Sequence, residues 1–330
     1  MRVDMPKMSI SMNAATATQP RVALNGPAMG TRWSAIAYPP NGIEPAALQA
    51  ALAAACDLVD TQMSTWKPRS DLMRLNAAPV GHWHAIPDAL ANVLALGEGV
   101  RQQSAGRFDM AVLDATNAWG FGPSGETGDQ TRIGNPRFKS HLELDMRGLR
   151  ARRLAPVSFD LSGIAKGFAV DLMARCMEDH GVANYLVSID GELQAGGYRG
   201  DGQPWSIALE APVADKREIV SRILLHNGSL ATSGNYRHRR LVAGRWLSHT
   251  MDPGKGQPVE NGLLSVTVRA PDCVLADAWA TALMVAGETD APRLCAANGL
   301  DAILITASAD GFATQGLGAF APASRESASI

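Results

Sequence analysis

The sequence predicts an α+β fold of mostly antiparallel strands with packed helices, and three observations lead there. Long alanine-rich or amphipathic segments read as helices at 44–63, 87–104 and 164–180. Short apolar or alternating runs, NYLVSI (184–189), WSIALE (205–210), LLSVTVRA (263–270) and DAILITAS (301–308), read as strands. The two kinds of element are mixed without the regular alternation that builds a doubly wound parallel sheet.

Taken in order, Pro87 falls in the first turn of the second helix. A Gly/Pro-rich stretch from about Gly120 to Pro136 reads as loop. Gly181 stands where a glycine would close the third helix. GGYRGDGQP is a turn region, and residues 217–234 read as strand and turn. DCVLADAWATALMVAG (272–287) reads as a helix and APRLCAANG as a shorter one.

Composition excludes some functions. The chain has 330 residues, 46% hydrophobic and 19% charged, enough for a large core. A formal net charge of −2 argues against a nucleic-acid binder, so any phosphate ligand needs a local site. Cys56, Cys176, Cys273 and Cys295 are scattered without metal-ligand spacing and read as buried free thiols, which suits a reducing compartment. Residues 1–20 lack the apolar core of a signal peptide and read as a polar tail, no lipid-attachment cysteine lies near the start, and no run is long enough for a membrane span. These features place the chain in the cytoplasm; a longer true N-terminus would move it to the periplasm or an inner-membrane lipoprotein.

Five segments could carry chemistry, each with a plainer alternative. Asp277 and Thr281, four residues apart on a helix, offer two oxygens to a hard cation about 5–6 Å apart at Cβ; such a pair also serves in surface or capping roles. Asp160-Leu-Ser-Gly-Ile-Ala-Lys-Gly167 leads into the third helix, where a helix start and Lys166 would favour phosphate; it lacks P-loop spacing and could be an ordinary turn. His249, before the Asp252-Pro-Gly turn, could act as a general base or be structural. Thr232-Ser-Gly-Asn-Tyr-Arg237 could line a cleft or form a hairpin. Trp66, following Met63-Ser-Thr, could stack on a flat ring or fill the core.

In this order the segments resemble one family, the ApbE-type FAD:protein FMN transferases. The likeness runs through AMGTRWSA (28–35), MSTWKPRSDLMRLN (63–76) and GRFDMAVLDATNAWGFGP (106–123). It continues through DLSGIAKGFAVD (160–171), GVANYLVSIDGEL (181–193), PWSIALEAP (204–212) and LATSGNYRH (230–238), and ends with SHTMDPGKGQP (248–258) and SVTVRAPDCVLADAWATALMVAG (265–287).

The resemblance implies a single compact T-fold-like domain over residues 21–322, with a tail at 323–330 and FAD in a central cleft. It puts flavin contacts at Met29, Trp66, Arg107, Phe108, Asp109, Asp160, Lys166 and Met251, with Trp66 in place of the usual tyrosine. It puts Mg²⁺ on Asp277, Thr281 and a backbone carbonyl at Gly163 or Ala165, and makes His249 the general base. The implied partner is an acceptor flavoprotein bearing a Thr or Ser flavinylation site, such as a redox-complex subunit. The rivals are an FAD pyrophosphatase releasing FMN and AMP, and a non-catalytic FAD-binding protein. Three departures from the family pattern stand out: Lys255 replaces a threonine, Ala280 stands where some members carry an acid, and Asp190-Gly-Glu192 replaces Gly-Gly-Glu.

Overall fold

The structure is a computed structural model that describes residues 20–129, 140–212, 218–235, 239–242, 245–309 and 311–322. Both expected tails, apart from residue 20, and Tyr236 and Arg237 of the glycine-containing segment lie outside the described residues.

An eight-stranded antiparallel sheet organises the chain. Its strands are β1 (Val22–Ala28), β2 (Thr31–Ala37), β3 (Tyr185–Ile189), β4 (Glu192–Gly196), β5 (Gly228–Gly234), β6 (Leu263–Ala270), β7 (Asp301–Ser308) and β8 (Gly311–Leu317). They lie side by side in chain order, so every neighbour in the sheet is also the next sheet strand in sequence. Insertions separate some of these neighbours.

The insertion at 38–184 carries helices α1 (Pro45–Met63), α2 (Asp71–Ala77), α3 (Asp88–Gln103), α4 (Leu113–Ala118) and α5 (Ala165–Asp179). Helix α6 (Cys273–Ala297) links β6 to β7. Helices α1, α5 and α6 pack together, and the alternating residues Val187, Ala231, Val266, Val268 and Leu304 of the sheet join them in one core. The opposite face, with Leu193, Leu230 and Ile303, is covered by a two-stranded ribbon of Trp205–Glu210 and Ile219–Leu225. All strand pairings among the described residues are antiparallel, which agrees with the expected class.

Several expected elements fall where the periodicity puts them. Trp205–Glu210, Leu263–Ala270 and Asp301–Ser308 are strands over the expected residues. Pro87 is the N-cap of α3 rather than part of its first turn. The two helices expected after 272 form one run broken at Gly287 (φ 75°, ψ 173°), and Asn261 Nδ2 donates to the carbonyl of Met284 at the break (2.8 Å). Gly181 has φ +71° behind α5.

Helices α5 and α6 are fixed to one another by backbone contact and by exchanged hydrogen bonds. A Cβ on Gly167 would strike the Cys273 carbonyl and lie 2.8 Å from Asp277 Cβ, so glycine is what permits the approach. No helix among the described residues is long and apolar enough to cross a membrane. Cys56, Cys273 and Cys295 are buried, Cys176 is partly buried, and all four are free thiols.

Candidate active site

Two hairpin tips mark one end of the sheet. Met29 and Gly30 turn β1 into β2 at positive φ (42° and 78°), and Asp190 (φ 53°) with Gly191 turns β3 into β4. Trp33 pairs with Ile189, so both tips lie at the same end. A cavity of ≈680 Å³ opens there, within the size range of small-molecule sites.

Met29, Trp66, Arg107, Phe108, Asp109, Asp160, Lys166 and Met251 all line this cavity, together with Gly163, Asp277, Thr281 and His249. Thr232, Ser233 and Gly234 line it too. Ala165 is buried as the first residue of α5 and is not part of the wall. Gly163 is part of it, and a Cβ there would lie 2.9 Å from Thr281 Oγ1.

The floor holds a compact charge cluster. Lys166 Nζ lies 2.8 Å from Glu192 Oε2 and 3.7 Å from Asp190 Oδ2. Asp277 Oδ2 accepts the Gly167 N–H (3.0 Å). Burial alone would push the Lys166 ammonium down, but Glu192, Asp277 and Asp190 hold it above its ordinary value. Burial pushes Glu192 up to about 8 and Asp277 up to about 6, against the pull of Lys166 in both cases. Three carboxyl groups, Asp190, Glu192 and Asp277, thus share a single ammonium, which leaves the cluster short of positive charge.

That shortage bears on whether a cation suits the site. Asp277 and Thr281 share one face of α6, and Thr281 Oγ1 lies 3.3 Å from Ser233 Oγ. With the Gly163 backbone pressed on Thr281, the available donors are a carboxylate, hydroxyls and a carbonyl. No group of three His, Cys, Asp or Glu is arranged for a metal among the described residues. An all-oxygen set fits a small hard cation such as Mg²⁺, which keeps part of its shell for water or phosphate.

The backbone at the start of α5 is less open to phosphate than the sequence suggests. The N–H groups of Ile164 and Ala165 donate to the Leu161 carbonyl (3.0 and 2.8 Å). Those of Ser162 and Gly167 donate to Asp160 (2.8 Å) and Asp277 (3.0 Å). Asp277 already complements the positive end of the helix. Charge on a phosphate would be met chiefly by Lys166 and a cation.

The remaining wall is aromatic and apolar. Trp66 is 65% exposed at the cavity, unusual for so large a ring, while Phe108 and Met251 are buried. Asp109 Oδ1 accepts the Ala111 N–H (2.9 Å), but buried Oδ2 has no hydrogen-bond partner among the described residues. Burial raises the Asp109 carboxyl above its usual range, with the Ala111 N–H and Arg101 opposing. Asp160 accepts from the Ser162 hydroxyl (2.6 Å) and donates its own N–H to the Met110 carbonyl (2.7 Å), which fixes the turn into α5. Arg107 pairs with Asp290.

His249 is exposed and follows a two-stranded ribbon, Arg239–Val242 with Arg245–Ser248. Of the three departures, Lys255 is exposed and 3.7 Å from Asp252 Oδ2, outside the cavity wall. Ala280 is fully buried inside α6. Asp190-Gly-Glu192 forms the hairpin tip that holds Lys166.

Sequence reasoning gave no role to Asp171, named Asp190 and Glu192 only as a departure from the family pattern, and held Ser233 only within the Thr232–Arg237 segment. The pairing of β3 with β4 is what brings Asp190 and Glu192 to Lys166. A carboxylate at the start of an otherwise apolar strand was the available signal.

Comparison with known proteins agrees with this arrangement. The ApbE family model matches residues 29–304. A FAD:protein FMN transferase of Klebsiella pneumoniae is 35% identical over 312 residues, covering 91% of this chain and 87% of its own. One from Escherichia coli K12 is 34% identical over 302 residues, covering 88% and 86%. Among solved structures, the apo flavinyl transferase ApbE of Pseudomonas stutzeri superposes with a TM-score of 0.82 at 34% identity, covering 91% of this chain and 95% of its own. The flavin transferase ApbE of Vibrio cholerae gives 0.80 at 31% identity, covering 91% and 98%. With the family model spanning most of the sequence, and relatives of this similarity aligned over about nine-tenths of it, the chain belongs to the ApbE family.

Proposed function

We propose that the chain is a magnesium-dependent FAD:protein FMN transferase, which cleaves FAD to AMP and joins FMN to a Thr or Ser hydroxyl of an acceptor flavoprotein. One observation carries this reading: His249, Lys166 and the Asp277–Thr281 oxygen pair converge on one cavity whose wall also presents Trp66, Phe108 and Met251.

In this reading the isoalloxazine ring takes the aromatic wall and the pyrophosphate takes the Lys166 side. Asp277, Thr281 and the Gly163 carbonyl would hold Mg²⁺, which supplies charge neutralisation to the breaking pyrophosphate. Glu192 and Asp190 keep Lys166 charged and aimed. His249 takes the proton from the acceptor hydroxyl as its oxygen bonds to the FMN phosphorus and the P–O bond to AMP breaks. Such base assistance is typically worth about 10²–10⁴-fold.

The test is mass spectrometry of a co-expressed acceptor flavoprotein. The expected product carries one FMN on a Thr or Ser with the wild type and none with His249→Ala, which still binds FAD. Equal AMP release with and without acceptor would convert the reading to a pyrophosphatase. Intact FAD after prolonged incubation with Mg²⁺ would convert it to a flavin binder.

We take residues 21–322 as the transferase domain. The acceptor fits a redox-complex subunit, whose function needs bound flavin. Four free thiols support the cytoplasm as the compartment, and cell fractionation tests it.

A further inference from the structure

We infer that Arg240 is a positioning residue for His249, an assignment that rests on the transferase reading for its catalytic consequence. Arg240 Nη1 donates to two carbonyls of one loop, Gly120 O (2.6 Å) and Gly125 O (2.7 Å). Gly120 has φ +75°, and a Cβ there would strike the guanidinium, so the contact is built closely. The same loop supplies Phe121 and Gly122 to the cavity wall.

Arg240 stands opposite Leu247 in the ribbon that ends at Ser248, directly before His249. On the far side of His249, the loop is tied again, because Trp119 Nε1 donates to the Gly256 carbonyl (3.0 Å). At the ribbon's base, Ser248 Oγ donates to Asn235 Oδ1 (2.5 Å) at the end of β5. His249 therefore sits on a short span bracketed by three attachments. Arg240 joins the cavity-wall loop to the strand Arg239–Val242, which pairs with the Arg245–Ser248 strand leading into His249. A planar guanidinium can hold two carbonyls at once in a fixed geometry. The segment it steadies carries the exposed His249 imidazole.

A displacement of about 1 Å at a reacting group can cost about 10²-fold in rate. Arg240→Ala is expected to lower FMN transfer by about 10- to 100-fold with FAD affinity within about twofold of wild type. Arg240→Lys, which keeps a cationic donor on a shorter stem, is expected to recover only part of the loss.

The experiment combines two readouts. The first is FMN transfer to an acceptor flavoprotein, read by mass spectrometry, with flavin fluorescence for FAD binding. The second needs no turnover: ¹⁵N-histidine NMR, with the His249 signals identified by their loss in His249→Ala. The expected result is a shifted or broadened His249 signal in Arg240→Ala, with His141 and His180 unchanged. An unchanged His249 signal overturns the proposal. So does loss of transfer that tracks loss of FAD binding and melting temperature, since that marks a general structural role. A wild type that leaves FAD intact refutes the transferase reading instead, and the NMR result still decides whether Arg240 sets the position of His249.

Discussion

Asp171 and Asp277 cap each other's helices. Asp171, on α5, accepts the N–H groups of Cys273 (2.7 Å) and Val274 (2.9 Å) at the start of α6, whose own N-cap residue makes no side-chain cap. Asp277, on α6, accepts the Gly167 N–H at the start of α5 (3.0 Å). Each carboxylate satisfies amides that helix geometry leaves without partners. The exchange sets the height of α6 against α5, and so places Thr281 beside Gly163.

Asp171→Ala is expected to destabilise the fold by about 1–3 kcal/mol, because two buried N–H groups lose their acceptor. Asp171→Asn gives a pH test. Burial raises the Asp171 carboxyl to about 6, despite both N–H bonds, from an ordinary value of 3.8. The folded state then holds this proton more tightly than the unfolded state. Its contribution is full below pH 3.8 and declines as pH rises to about 6. Relative to wild type, Asp171→Asn gains stability over that window, on the order of 2–3 kcal/mol. Urea unfolding of both proteins at pH 4 and pH 7 measures it; a constant difference would mean the carboxyl is not perturbed.

Asp277→Asn preserves an oxygen for Gly167 and removes the charge. The expected outcome is a folded protein that binds FAD and needs at least about 10-fold more Mg²⁺ for AMP release. Titration of AMP formation against Mg²⁺ checks it. A normal requirement would place the cation elsewhere.

Gly167→Ala introduces a methyl group against the Cys273 carbonyl and Asp277 Cβ. Separation of α5 from α6 is expected to cost about 1–3 kcal/mol, read as a lower urea midpoint. Unaltered stability would show that the two helices can part without penalty.

Trp66→Ala is expected to weaken FAD binding by about 5- to 30-fold, equivalent to roughly 1–2 kcal/mol, through loss of a stacking surface. Trp66→Tyr should recover most of it. Flavin fluorescence titration reads both, and equal affinity for all three proteins would remove Trp66 from the ring site.

Strong periodicity made part of this fold legible in the sequence. The alternation in WSIALE and the apolar runs LLSVTVRA and DAILITAS became strands because burial enforces their register. The β1–β2 hairpin escaped notice because VALNGPA contains Gly26 and Pro27. Gly26 is there for a tertiary reason: a Cβ would lie 2.8 Å from Cε2 of the Trp33 ring. Strand β8 escaped because GFATQGL is mostly exposed and carries little hydrophobic signal. The site was legible as separate segments, and their resemblance to one family supplied the order. Residues whose role is to hold others, Glu192, Asp171 and Arg240, had no local signature, since each acts on a partner distant in sequence.

The ordered sheet has a consequence for how the protein matures. Strands β2 and β3 are neighbours in space, but residues 38–184 lie between them. Closing so long a span carries an entropic cost that the packing of the inserted helices must offset. That pairing sets the Met29 tip and the Lys166–Glu192 cluster around one cavity. By mass action, a ligand held in that cavity stabilises the folded chain and with it the β2–β3 pairing.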